Sequence, residues 1–245
     1  PSVAHGEMVV CVLALFGYFF KELLSLSKPF RIRFYACVVL LFLSCIYWAL
    51  LFQLFFSFNV MIKYIVNRQF FQFELPSPLF MGVESFFVIL FSPLLGKLWI
   101  EMNQKGRTIS LFLKYFLAFL SCSIGLFLLF VSLKISPMPH FLWILCAYLF
   151  IGLGEAILAP TALAMIGQLS QDAHIGVMMA SLYVFWGLGT KLADFLAQWS
   201  VFPATLKEAA SIAPYFEHAV AGYFCIAFAA AGLSYLGHKV YTRHS

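Results

Sequence analysis

The sequence predicts an all-α, polytopic membrane protein with seven transmembrane helices. Three observations carry this. Of the 245 residues, 63% are hydrophobic and only 10% charged, where a soluble globular domain carries about 25% charged residues. The mean hydropathy is +0.96. Apolar runs as long as the ~20 residues a bilayer crossing needs recur along the whole chain. A β-barrel would instead show alternating segments of about ten residues, and the runs here are longer and apolar all round.

The helices are predicted at about 6–26, 32–58, 77–101, 108–134, 139–168, 174–200 and 214–241. The chain offers a break between each pair: Ser27-Lys28-Pro29, the stretch 59–77 with Pro76, Asn103 to Gly106, Ser136 to Pro139, Ser170 to His174, and the region around Pro203 to Pro214. Pro78 and Pro139 fall at helix starts, where a missing N–H costs least. The loops after the first, third, fifth and seventh helices hold Lys28, Arg31, Arg33, Lys105, Arg107, Lys239 and Arg243; the opposite loops hold Lys63, Arg68, Lys134 and Lys207. The richer side is expected to be cytoplasmic, which puts Ser245 inside and residue 1 outside.

Several function classes are not expected. The formal charge of +5 sits in membrane-flanking loops, so no nucleic-acid partner is implied; the lipid bilayer is the implied surroundings. The six cysteines lie in or beside apolar spans without a CxxC. They read as small hydrophobes rather than a metal or disulfide framework. No histidines pair at metal-ligand spacing, so no metal site is assigned. No Ser–His pairing or soluble catalytic domain appears, so the chain is not expected to be an enzyme. It begins at Pro1, without Met or a basic leader. The expectation is a piece of a longer protein, with no signal peptide.

Ionisable residues are costly in the bilayer core, and those that remain face cavities or one another. Glu155 lies in "IGLGEAILAPTALAMIG", roughly 24 Å into its helix at 1.5 Å per residue. It reads as a proton-titrating or ligand-binding carboxylate; the alternative is a neutral glutamate bonded to nearby backbone. Pro160 is expected to break this helix, freeing the carbonyl of Ala156 beside Glu155. Gly152 and Gly154 thin the same segment for close approach. Glu84 lies one to two turns into its helix and reads either as a cavity carboxylate or as an interfacial side chain reaching water. Lys191 and Asp194, three apart on one helix face, read as a mutually neutralising pair or as a charge switch on a pathway. Gln53 reads as a cavity group or as glue between helices. Pro93 is expected to kink its helix.

With these residues in place, the chain resembles the C-terminal half of the proton-dependent oligopeptide transporters of the major facilitator superfamily. "YWALLFQ" is similar to the family's seventh-helix F-W-A-L-x-E-Q, through Trp48, Ala49, Leu50 and Gln53. "FMGVESFFVILFSPLLGKLW" is similar to the eighth-helix pattern, through Phe80, Ser92, Pro93, Leu98 and Trp99. "LGEAILAPTALAMIGQLS" is similar to the tenth-helix G-E-x-x-x-S-P-x-x-L-S, through Gly154, Glu155 and Pro160, and is the most specific of the set. "GVMMASLYVFWGLGTKLA" is similar to the eleventh-helix motif, through Met178, Met179, Gly189 and Ala193.

The resemblance implies a linker helix over 1–27 and a six-helix C-terminal bundle over 28–245. It implies a symporter for di- and tripeptides or another small molecule, working with an N-terminal six-helix half and coupled to protons, with no other cofactor. It puts Glu155 in the central cavity, with Glu84, Gln53, Lys191 and Asp194 as companions and Pro160, Pro93 and Gly154 as break or gating positions. It also suggests a bacterial inner membrane. Four positions depart from the family: its seventh-helix Glu falls on Phe52, its eighth-helix Asn on Glu84, its tenth-helix Ser on Ala159 and its eleventh-helix Trp on Leu182. Two alternatives follow from the departures: a member carrying a non-peptide metabolite, or a non-transporting receptor or scaffold derived from a transporter.

Overall fold

The structure, a computed structural model, describes residues 17–19, 21, 28–169 and 175–244. Helix α1 spans Lys28–Leu51 and continues through a 3-10 turn, Phe52–Leu54, into the short helix α2, Ser57–Tyr64. A two-stranded hairpin follows, β1 Gln69–Phe70 and β2 Phe73–Glu74. Helices α3 Leu79–Gln104, α4 Leu111–Ile135, α5 Phe141–Leu169, α6 Ile175–Ala197 and α7 Ala209–His244 complete the chain. Among the described residues, six helical stretches are long and apolar enough to cross a membrane, α1 and α2 counting as one. The predicted helix 6–26 lies outside the described residues except for 17–19 and 21, where Phe19 packs edge-on against Phe34 at 5.5 Å.

Helix α5 is the hub, packed on α4, α3 and α1; α4 also packs on α7, and α1 on α6. Without a hydrophobic drive between helices in lipid, such contacts depend on small residues that let backbones close up. A methyl carbon placed on Gly125 of α4 would lie 2.7 Å from the Ala147 carbonyl oxygen of α5. One placed on Gly189 of α6 would lie 2.7 Å from the Cys45 carbonyl oxygen of α1.

Two expectations change. Pro160 does not break its helix: α5 runs unbroken through it, as α3 does through Pro93. Proline's fixed φ is helical, so the ring removes one hydrogen bond without ending the helix. Neighbouring hydroxyls fold back onto the helix there, Thr161 Oγ1 donating to the Ile157 carbonyl at 2.6 Å and Ser92 Oγ to the Val88 carbonyl at 2.6 Å. Pro214, expected at the start of the last helix, lies inside α7, which begins earlier at Ala209.

The real interruption is at 52–56, where no proline stands. It is stabilised by side chains. Gln53 Nε2 donates to the carbonyls of Ala49 at 3.1 Å and Ala193 at 2.9 Å, and Ser57 Oγ donates to Gln53 Oε1 at 2.8 Å. Ser57 also meets Tyr223 Oη and Ser200 Oγ, both at 2.9 Å. This buried network ties α1, α6 and α7 together. Gln53→Leu leaves those groups without partners, and should lower stability by about 1–3 kcal/mol, read as a fall in thermal unfolding midpoint in detergent.

The 59–77 segment is more ordered than a loop. The hairpin is clipped by the Arg68–Glu74 ion pair and by Arg68 Nη1 donating to the Leu75 carbonyl at 2.8 Å. Asn67 pairs with the start of α5: its N–H donates to the Pro139 carbonyl at 2.9 Å, and its carbonyl accepts from Phe141 N–H at 3.0 Å.

Candidate functional site

The structure brings Glu84 and Glu155 together. On α3, most side chains are exposed; its buried residues are Phe80 and Glu84. Glu84 is 4% exposed, so it is not an interfacial side chain reaching water. Glu155, partly buried on α5, is its direct electrostatic neighbour. Charge and side-chain hydrogen bonding of Glu84 both act on the Glu155 carboxyl. Oε2 of Glu84 accepts from Ser85 Oγ at 3.3 Å, while its buried Oε1 has no hydrogen-bond partner among the described residues. A buried polar atom left unpaired is costly and rare, and this oxygen is free to accept a hydrogen bond.

The glycines beside Glu155 create this geometry. Gly152 faces α3: a methyl carbon there would lie 3.0 Å from the Glu84 carbonyl oxygen and 3.0 Å from Phe87 Cβ. Gly154 faces the other way, where a methyl carbon would lie 2.6 Å from Tyr47 Oη and 2.7 Å from the Ala118 carbonyl oxygen. Three helices therefore close on one turn of α5. Tyr47, 1% exposed, donates from Oη to the Ile151 carbonyl at 3.3 Å and sits edge-on to Phe119 at 5.3 Å. Tyr148, also 1% exposed, lies in the field of Glu84. The phenols wall the carboxyls without supplying a counter-charge. Among the described residues the ion pairs are Arg68–Glu74, Lys97–Glu101 and Lys134–Glu217.

The other expected companions stand elsewhere. Gln53 is 0% exposed and its amide is committed to backbone and Ser57. It is glue between helices, not a cavity group, because every strong donor it carries is already used. Lys191 and Asp194 are exposed on α6 and do not close on each other as an ion pair. Asp194 borders a shallow hollow of about 450 Å³ with Phe55, Ser57, Val60 and Phe202. Gly154 is a packing position.

Two donors escaped sequence reasoning. Trp48 of α1 and Trp186 of α6 lie 4.7 Å apart, each with a buried Nε1–H that has no partner among the described residues. The signal was one turn away: Leu182, 0% exposed, takes the family's tryptophan position, and Trp186 follows four residues on.

The comparisons with known proteins agree on the family. The model of the POT family matches residues 11–212. Dipeptide and tripeptide permease B of Aeromonas hydrophila is 23% identical over 212 residues, covering 84% of this chain and 42% of the permease. The peptide transporter YePEPT of Yersinia enterocolitica is 24% identical over 208 residues, covering 80% of this chain and 40% of the transporter. Among solved structures, tetrameric PepTSo2 superposes with a TM-score of 0.81 at 19% identity, covering 100% of this chain and 50% of that one. A peptide transporter POT bound to sulfate gives 0.78 at 17% identity, covering 97% and 46%. The chain thus spans a little under half the length of the curated relatives it matches. Those relatives are transporters and not enzymes, and the fold is the polytopic all-α fold the sequence predicts. This chain belongs to the POT family.

Proposed function

We propose that the chain is the C-terminal half of a proton-coupled symporter for small peptides, with Glu84 and Glu155 as one proton- and substrate-responsive unit. The single observation that supports this most is the buried Glu84–Glu155 pair with its unpartnered oxygen. Two carboxyls held this close repel when both are charged and titrate as a pair rather than singly. Taking up a proton or an ammonium group relieves that repulsion. The same site therefore favours a coupling proton and a peptide amino terminus. No cofactor beyond the proton is invoked.

The organisation we propose keeps residues 1–27 as a linker helix and 28–245 as the C-terminal bundle, set in a bacterial inner membrane with Ser245 cytoplasmic. The substrate path then runs between this bundle and an N-terminal six-helix half, since carrier sites form between repeats. Lys191 and Asp194, exposed and unclosed, would contact that half or the substrate's charged ends in this reading. Lys191→Gln and Asp194→Asn should leave the thermal midpoint unchanged and weaken uptake of dialanine by the native protein in proteoliposomes. Unchanged uptake in both variants removes them from the pathway.

A second reading keeps the family and changes the cargo to a non-peptide metabolite. Glu84, standing where the family carries asparagine, favours it: a second carboxylate selects for a cation where an amide selects for a hydrogen-bonding peptide. Dialanine in excess should compete with the transported substrate if the first reading holds, and leave uptake untouched if the second does. Binding without accumulation would point to a receptor or scaffold.

A further inference from the structure

Two adjoining hollows lie at the end of the bundle where α1 begins and α7 ends. One, about 380 Å³, is an apolar crevice between those helices, lined by Ile32, Tyr35, Val39, Leu236 and Val240. The other, about 670 Å³, is polar and bordered by Arg33, Thr108, Ser110, Gln168, His238 and Thr242. They share a wall, since Ala36, Phe112 and Tyr241 line both. Gly237 lets the Phe112 ring form that wall: a methyl carbon on Gly237 would lie 2.6 Å from two of its carbons.

The polar hollow is equipped for an anion. Ser110 Oγ accepts the Leu113 N–H at 3.2 Å and lies 2.8 Å from His238 Nδ1. In the tautomer where Nδ1 accepts the serine hydrogen, the ring proton is on Nε2 and His238 is a donor there. Arg33 adds a fixed positive charge and enters no ion pair among the described residues. No described carboxylate lines either hollow. Lys239, over the Tyr235 ring at 4.8 Å, adds a second cation on the same end of α7. This end is the one whose lysines and arginines mark it as cytoplasmic, where basic pockets between helices take anionic head groups.

We propose that the double hollow is a site for one anionic phospholipid, its phosphate beside Arg33 and His238 and an acyl chain in the crevice between α1 and α7. The polar hollow alone would suit any phosphate. The apolar crevice opening from it has no use for a free ion, and a lipid with net negative charge matches both halves.

The test is native mass spectrometry of the native full-length protein in detergent, titrated with dioleoylphosphatidylglycerol or dioleoylphosphatidylcholine. The expected result is one phosphatidylglycerol retained at concentrations where phosphatidylcholine is lost. Arg33→Ala, and separately Val39→Trp on the exposed crevice wall, should each weaken retention by about tenfold, the equivalent of one good charge-assisted contact. Millimolar inorganic phosphate should not displace the lipid. Equal binding of the two lipids overturns the proposal, as does wild-type retention by both variants. Displacement by phosphate overturns it in favour of a plain anion site. Should a variant fail to fold, cross-linking of wild type with a diazirine-tailed phosphatidylglycerol decides: labels on Val39 or Leu236 are expected, and labels only elsewhere refute it.

Discussion

Glu155→Gln should abolish most proton-driven uptake while leaving the protein folded. Glutamine keeps the shape and removes the charge, so the α5 turn between Gly152 and Gly154 is undisturbed. What is lost, on the proposed function, is the proton-accepting carboxyl itself, which its neighbour Glu84 only tunes. Uptake of dialanine against a pH gradient should fall on the order of tenfold or more, as losing one charge-assisted interaction of ~1.5–3 kcal/mol allows. Counterflow, which needs no net proton movement, should survive. Glu84→Asn, which restores the residue the family carries there, should behave differently. It removes the like charge but leaves Glu155 able to titrate, so driven uptake should persist with an altered pH profile. Loss of counterflow in Glu155→Gln would instead assign the residue to substrate binding alone.

Gly154→Val should destabilise the bundle at least as much as Gln53→Leu does. The new Cβ would lie 2.6 Å from Tyr47 Oη and 2.7 Å from the Ala118 carbonyl oxygen. The phenol end can shift; the backbone of α4 cannot without moving the helix. Overpacking of this kind costs typically 1–3 kcal/mol, and here it also disturbs the bond from Tyr47 to the Ile151 carbonyl. A marked fall in thermal midpoint in detergent is expected. Gly167→Val, near the end of the same helix with nothing within 4 Å of its Cβ position, is the control and should fall only by the difference in helix propensity.

The spans were legible because length and apolarity are properties of a segment by itself. Helices α3 to α6 begin and end within a few residues of their expected bounds. The break at 52–56 was not, because no proline or glycine marks it; it depends on Gln53 finding Ala193 on another helix. Pro160 misled for the converse reason: a ring that keeps φ helical sits inside a continuous helix. The carboxyl on α5 was legible as an ion in an apolar run. Its pairing with Glu84 was not. Counting residues from the start of α3 puts Glu84 near the surface, whereas the close crossing at Gly152 carries it into the interior. A crossing point is a tertiary fact, written only as the absence of a side chain at one glycine.

Whether Glu84 and Glu155 act as one unit is decided by a double-variant measurement. Proton flux accompanying dialanine uptake would be followed in proteoliposomes of the native protein for Glu84→Gln, Glu155→Gln and the double variant. Groups acting together give strongly non-additive losses. The expected result is a double variant no worse than Glu155→Gln alone. Losses that multiply, each substitution reducing flux by its own factor in either background, would refute the shared unit and make the two carboxyls independent sites.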